Sequence, residues 1–151
     1  IPNSGMVSTN DLVFDYERVN IHPAQKRAVG QRLSYFALAE TYKMKGVECR
    51  GPEFSSVEFK DGKAVVKFDN AVYGFNRGID IKGFEICGAD GVYYPALVKP
   101  VPWGRSVTVE SDKVPNPVAV RYAFHDFSPG NLAGVNGLPV VPFRSDRKQH
   151  R

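Results

Sequence analysis

The pattern of hydrophobic and polar positions changes period near residue 50. Before it, Val29, Leu33, Phe36 and Ala37 fall at spacings of four, three and one, which makes one apolar helical face. His22-Pro23 opens that segment, since Pro at a first helical position gives up only an N–H that has no helical partner. The spacing predicts a helix from there to about Lys43, with Gly46 as its stop. Upstream lie a polar, acidic loop from Asn10 to Asn20 and a short, partly apolar stretch, Met6 to Thr9, that reads as the end of a buried strand.

From Gly51 the period is two. Val57 and Phe59 alternate with charged residues, Asp61-Gly62 makes a hairpin turn, and Lys63 to Asp69 runs back with Val66 and Phe68 on one face. Further strands are expected at Gly83–Cys87, Val92–Lys99, Ser106–Glu110 and Val118–Phe124, with Gly88 to Gly91 as a second hairpin turn. Six strands at roughly ten-residue spacing, separated by Gly, Pro, Asn and Asp, predict an antiparallel β-sandwich of the jelly-roll kind. The expected organisation is therefore two pieces, 1–47 and 48–151. A lone strand, loop and helix cannot bury its own apolar face. Either the first piece packs against the β module, or the parallel sheet it belongs to lies outside this chain.

Composition changes this picture little. The 151 residues are 42% hydrophobic and 24% charged, the balance of an ordinary globular protein rather than a disordered one. No stretch approaches the roughly 18 apolar residues that span a bilayer. The formal net charge is +4, but Arg144 to Arg151 carry +3 of it, which leaves +1 for the remainder. A basic terminus is a solvated tail and needs no phosphate partner, so nucleic acid is not an expected ligand. The chain shows no secretory leader and no initiator Met, and so reads as trimmed. Cys49 and Cys87 are too few and too far apart for a zinc framework; they form one disulfide or stand as two thiols.

Candidate chemistry is sparse. None of the nine serines lies in a nucleophile elbow, and Gly74-x3-Gly78 lacks the Lys and the helix of a phosphate loop, so no cofactor is expected. Cys49 follows the helix and Cys87 sits in a strand pattern, poor placements for an attacking thiol. His22, on a loop carrying Asp11, Asp15 and Glu17, has the setting of a general base whose tautomer a carboxylate fixes; the bland alternative is a capping or merely exposed His. His125-Asp126 follows the last strand, where a turn-forming or partner-contacting role is the simpler reading, and His150 belongs to the tail. Among the aromatics, Tyr73, Phe75, Tyr93, Tyr94 and Trp103 fall in or near β loops. Trp103, in Val101-Pro102-Trp103-Gly104, is the best candidate for an exposed ring on which a sugar stacks, although aromatics in strands are more often core.

Two stretches, with a third between them, carry a family resemblance. The first holds Gly5-Met6-Val7, Asn10-Asp11-Leu12, Ile21-His22-Pro23, Lys26, Val29-Gly30 and Arg32-Leu33. The second holds Asn116 to Ala123, Asn131-Leu132, Gly137-Leu138-Pro139 and Pro142 to Asp146, and Lys82 to Ile86 lies between. Together they resemble the C-terminal part of the sialate O-acetylesterase family, serine esterases with the flavodoxin-like SGNH-hydrolase fold. The resemblance implies that Met6 to Lys43 is the last strand, catalytic-His loop and final helix of the SGNH domain, and that Gly51 to Asp146 is the β-rich accessory domain beside it.

It further implies that His22, in Ile-His-Pro, is the catalytic His in removal of O-acetyl groups from sialic acids or related sugars. The position three before it is Val19 and the one two before it is Asn20, where the family pattern often has Asp, so the orienting acid comes from elsewhere. Asp11 and Asp15 are the candidates; a Ser–His dyad, or a backbone carbonyl orienting His22, is the alternative. The nucleophile Ser belongs to an N-terminal part of the esterase, which makes that part the expected partner and leaves this chain incomplete alone. A periplasmic, secreted or lysosomal location follows from the family's habit. The competing class is a non-catalytic β-sandwich that binds glycan or holds subunits together.

Overall fold

The structure is a computed structural model that describes residues 2, 4–20 and 22–146. Ile21 and the basic residues from 147 onward, His150 included, lie outside the described residues. The strands are β1 (Glu53–Lys60), β2 (Lys63–Asp69), β3 (Phe84–Cys87), β4 (Tyr93–Pro95), β5 (Leu97–Pro100), β6 (Ser106–Glu110), β7 (Ala119–Tyr122) and β8 (Phe143–Arg144). They form two four-stranded sheets, ordered β1-β2-β6-β5 and β4-β3-β7-β8, with every pairing antiparallel. This two-sheet, mostly antiparallel architecture agrees with the expected β-sandwich.

The period-two signal decides which side chains enter the core. On β2, Ala64, Val66 and Phe68 are buried, while Lys63, Lys67 and Asp69 face solvent. Val107 and Val109 of β6 join them from the same sheet; Phe84, Ile86, Val120 and Tyr122 meet them from the other. Phe143 ties the layers together. Its ring stacks on Phe54 at 4.6 Å and meets Phe68 edge-on at 5.7 Å. The Asp61-Gly62 turn pairs Lys60 with Lys63, and both turn residues have positive φ (50° and 74°), as a two-residue hairpin of this hand requires.

The reading of the elements needs correction at several points. The single strand at 92–99 is two strands in different sheets. Tyr93–Pro95 pairs with β3 and Leu97–Pro100 with β6, so the chain changes sheets at Ala96. Both pieces are edge strands, where the missing N–H of Pro95 and Pro100 is tolerated. The two-residue β8 escaped notice because Phe143-Arg144 is too short to show a period.

The N-terminal piece departs further. Met6–Thr9 forms no strand among the described residues, and Met6 is 82% exposed, because no neighbouring strand is there to pair with it. The helix α1 spans only Lys26–Phe36 and continues as a π-turn over Ala37–Thr41. It starts late because the Ala24 N–H is taken by the Glu17 carboxylate at 2.5 Å and Lys26 N–H closes onto Ala24 O. The expected apolar face is not buried either. Leu33 is 51% exposed and Ala37 is exposed, while the buried residue of the helix is Arg32.

Candidate functional site

His22 sits on the loop between a 3-10 turn, Asp15–Glu17, and α1. Two acceptors shape that loop. Asn20 Oδ1 accepts the His22 backbone N–H at 2.9 Å, an Asx turn that sets the direction in which the chain passes the His. Glu17, only 3% exposed, accepts the Phe14 N–H at 2.9 Å with one oxygen and the Ala24 N–H at 2.5 Å with the other. The carboxylate thus staples both ends of the segment that presents His22. The His22 residue itself is exposed.

Of the two candidate acids, Asp11 is already engaged. Arg32 reaches across from α1 and donates to both Asp11 oxygens, at 2.7 and 2.5 Å, and to the Ser8 carbonyl at 2.7 Å. A bidentate pair of this kind fixes orientation as well as charge. It explains why an arginine is the buried residue of α1: it anchors the 8–11 segment to the helix. Asp15 is exposed on the 3-10 turn. Neither aspartate is hydrogen-bonded to His22.

The residue that sequence reasoning passed over is Glu17. Its signal was present. A carboxylate three residues after Phe14 is the spacing at which a side chain reaches back to the N–H that begins a turn.

The other described histidine has different company. His125 Nε2 lies 2.7 Å from Glu85 Oε2 and 3.2 Å from Arg121 Nη2, and Arg121 Nε donates to the same Glu85 oxygen at 2.7 Å. Burial alone would raise the Glu85 carboxyl, but the hydrogen bonds from Arg121 and His125 outweigh it and hold the group below its ordinary range. Arg121 also lies over the Tyr93 ring at 4.0 Å. This cluster crosses β3 and β7 and reads as sheet cross-bracing. Beside it, Asn10 and Val13 face Phe124, His125 and Phe127 across an open cleft of ≈ 450 Å³. Arg18, over the Phe127 ring at 5.0 Å, adds to the contacts between the His22 loop and this end of the sandwich.

The two cysteines are both free. Cys87 is buried on β3 and Cys49 is half-buried, with its thiol pushed up by burial and by the neighbouring Glu40. Among the described residues no helix is long and apolar enough to cross a membrane.

The arrangement defines a class: an antiparallel sandwich with a histidine loop held against one end. No protein-family model matches the chain, and no curated protein does. A solved structure does: XAC1771, a novel carbohydrate acetylesterase from Xanthomonas citri, is 37% identical to this chain with a TM-score of 0.81. The alignment covers 91% of this chain and 31% of that one, so the chain spans about a third of the length of the esterase it matches.

Proposed function

We propose that this chain is the C-terminal part of a carbohydrate O-acetylesterase, with sialic acids or related sugars as the deacetylated substrates. The observation that carries the reading is the likeness to a carbohydrate acetylesterase at 37% identity over 91% of this chain. The exposed apolar side of the helical segment supports the second half of the proposal. Leu33 (51% exposed), Tyr42 and Met44 are open to solvent on the piece that carries His22. An SGNH domain carrying the nucleophile Ser would cover them.

In this reading the Ser Oγ attacks the acetyl carbonyl carbon while His22 accepts the hydroxyl proton. Backbone N–H groups of the partner hold the oxyanion. Collapse expels the sugar hydroxyl, which takes its proton from His22 and leaves an acetyl-serine. Water, deprotonated by His22, then releases acetate and restores the Ser. Asp15, whose carboxylate is exposed, is assigned as the acid that orients the imidazole. Asp11 supports the loop through Arg32.

The test is reconstitution. The chain added to its N-terminal partner should release acetate from O-acetylated sialic acid, and His22→Ala should lower kcat by about 10²–10⁴-fold. Asp15→Asn should lower kcat more than Asp11→Asn does. Full activity with His22→Ala overturns the assignment. Acetate release from an acetylated neutral sugar alone overturns the sialic acid part only.

A further inference from the structure

At the edge of the sandwich formed by the 71–74 and 101–104 turns, we propose a carbohydrate-binding site that takes a carboxylate-bearing sugar on Trp103 and Arg77. This site does not rest on the esterase reading.

Three observations carry it. Trp103 is 80% exposed, a large apolar surface to leave in water. Its backbone is also strained. Gly104 N–H closes onto Val101 O at 2.9 Å, with Pro102 and Trp103 as the central residues, and Trp103 has φ 59°. A type II turn needs that left-handed conformation at its third position, which Gly or Asn ordinarily fills. A bulky residue there is strained, and strain of this kind clusters at ligand sites.

The second observation is Arg77. Its guanidinium lies 4.0 Å from the centroid of the Trp103 ring, so one ring face is braced and the other is open. Among the described residues no carboxylate pairs with it. The segment bearing it is fixed, since Asn76 donates to Asn131 O at 3.0 Å and accepts the Ala133 N–H at 3.0 Å. A placed guanidinium with free N–H donors matches a carboxylate.

The third is shape. Trp103 and Arg77 border a groove of ≈ 250 Å³ with Ile79, Ile81 and Val98 in its lining. Drug-sized ligands take about 300–1,000 Å³, so the groove suits roughly one sugar ring. The 71–74 turn abuts the Trp103 turn, with Gly104 O 3.4 Å from where a Cβ on Gly74 would stand, and it carries the exposed Tyr73. A sugar meets these features with an apolar C–H face for the ring and an acidic substituent for Arg77.

Trp103 is the sole tryptophan, so its fluorescence reports this site alone. The intact chain is titrated with sialyllactose and with trigalacturonate, two sources of the same chemistry, and with neutral lactose. The expected result is a saturable blue shift for at least one acidic probe and affinity at least about tenfold weaker for lactose. By calorimetry, Arg77→Gln and Trp103→Ala should each bind that probe at least about tenfold more weakly. Both positions are exposed, and circular dichroism confirms that each variant folds. No saturable binding of either acidic probe overturns the proposal, as does binding that Trp103→Ala leaves unchanged. Equal affinity for lactose overturns the role of Arg77. Binding is read without hydrolysis, so a failure here leaves the esterase proposal where it stands.

Discussion

Replacing Glu17 tests whether one buried carboxylate holds the His22 loop. In the structure its two oxygens accept the Phe14 and Ala24 N–H groups, and it is 3% exposed. Hydrogen bonds to a charged group contribute about 1.5–3 kcal/mol each. Phe14 is itself 43% exposed, so water recovers part of one bond once the carboxylate is gone. The net loss for Glu17→Ala is then about 2–4 kcal/mol. At 1.36 kcal/mol per decade this is roughly 30- to 1,000-fold in the local opening equilibrium.

The loss should stay local, because Glu17 lies outside the cluster of core residues between the two sheets. Native-state hydrogen exchange reads it directly. Exchange of the Phe14 and Ala24 amides should speed by that factor, while the amides of β2, β6 and β7 and the melting midpoint stay near their wild-type values. Glu17→Gln keeps the shape but faces one N–H with an amide NH2, so it should show an intermediate effect. Unchanged exchange at Ala24 would refute the bridge. A parallel loss of protection across the sheets would show that the loop and the sandwich unfold as one unit, against the reasoning above.

Other consequences concern the sandwich and its side chains. The folded-state pKa of Glu85 lies below its ordinary 4.5, so its contribution to stability is present above that pH and is lost as pH falls through the folded value. Urea midpoints should therefore drop on acidification below 4.5, and Glu85→Gln should reduce that dependence; an identical pH profile in the variant counts against the Arg121–His125 bracing. Tyr122→Phe keeps the ring against Phe84 but leaves the buried Leu132 N–H, 3.0 Å from the hydroxyl, without an acceptor. It should cost about 1–3 kcal/mol in equilibrium unfolding, and a neutral result would mean that another acceptor replaces it. With a thiol reagent, Cys49 should react in the folded chain, slowly near neutral pH because its thiol is pushed up, and Cys87 only after unfolding; simultaneous reaction of both would contradict the burial of Cys87.

The β module was largely legible because its pattern and its burial have the same cause. Alternation on β2 reports a sheet with one face on the core, and both faces of that core are supplied by this chain. The signal failed where pairing, not period, decides the outcome. Residues 92–99 read as one strand because alternation does not record that the chain changes partners at Ala96. The candidate site was legible in part. His22 was singled out by the Pro after it and the acids before it. Asp11 reads the same whether it orients a histidine or binds Arg32, and only the fold distinguishes the two. Asn20 read as the loss of an acid, yet its side-chain oxygen accepts the His22 N–H, as a neutral amide can do.

The helix shows the deeper reason why such reading stops. Leu33 and Ala37 mark an apolar face that a sequence pattern assigns to a core, yet the contact that fixes α1 is polar: Arg32 on Asp11 and Ser8. A hydrophobic pattern states which residues gain from burial and not what buries them. In the sandwich both partners lie in one chain, so pattern and structure coincide. On the helical piece Leu33 stays 51% exposed, and the ion pair with Arg32 holds the segment in place. The same ion pair and the Glu17 bridge leave His22 exposed on a loop tied at both ends, which is the state that its proposed role requires.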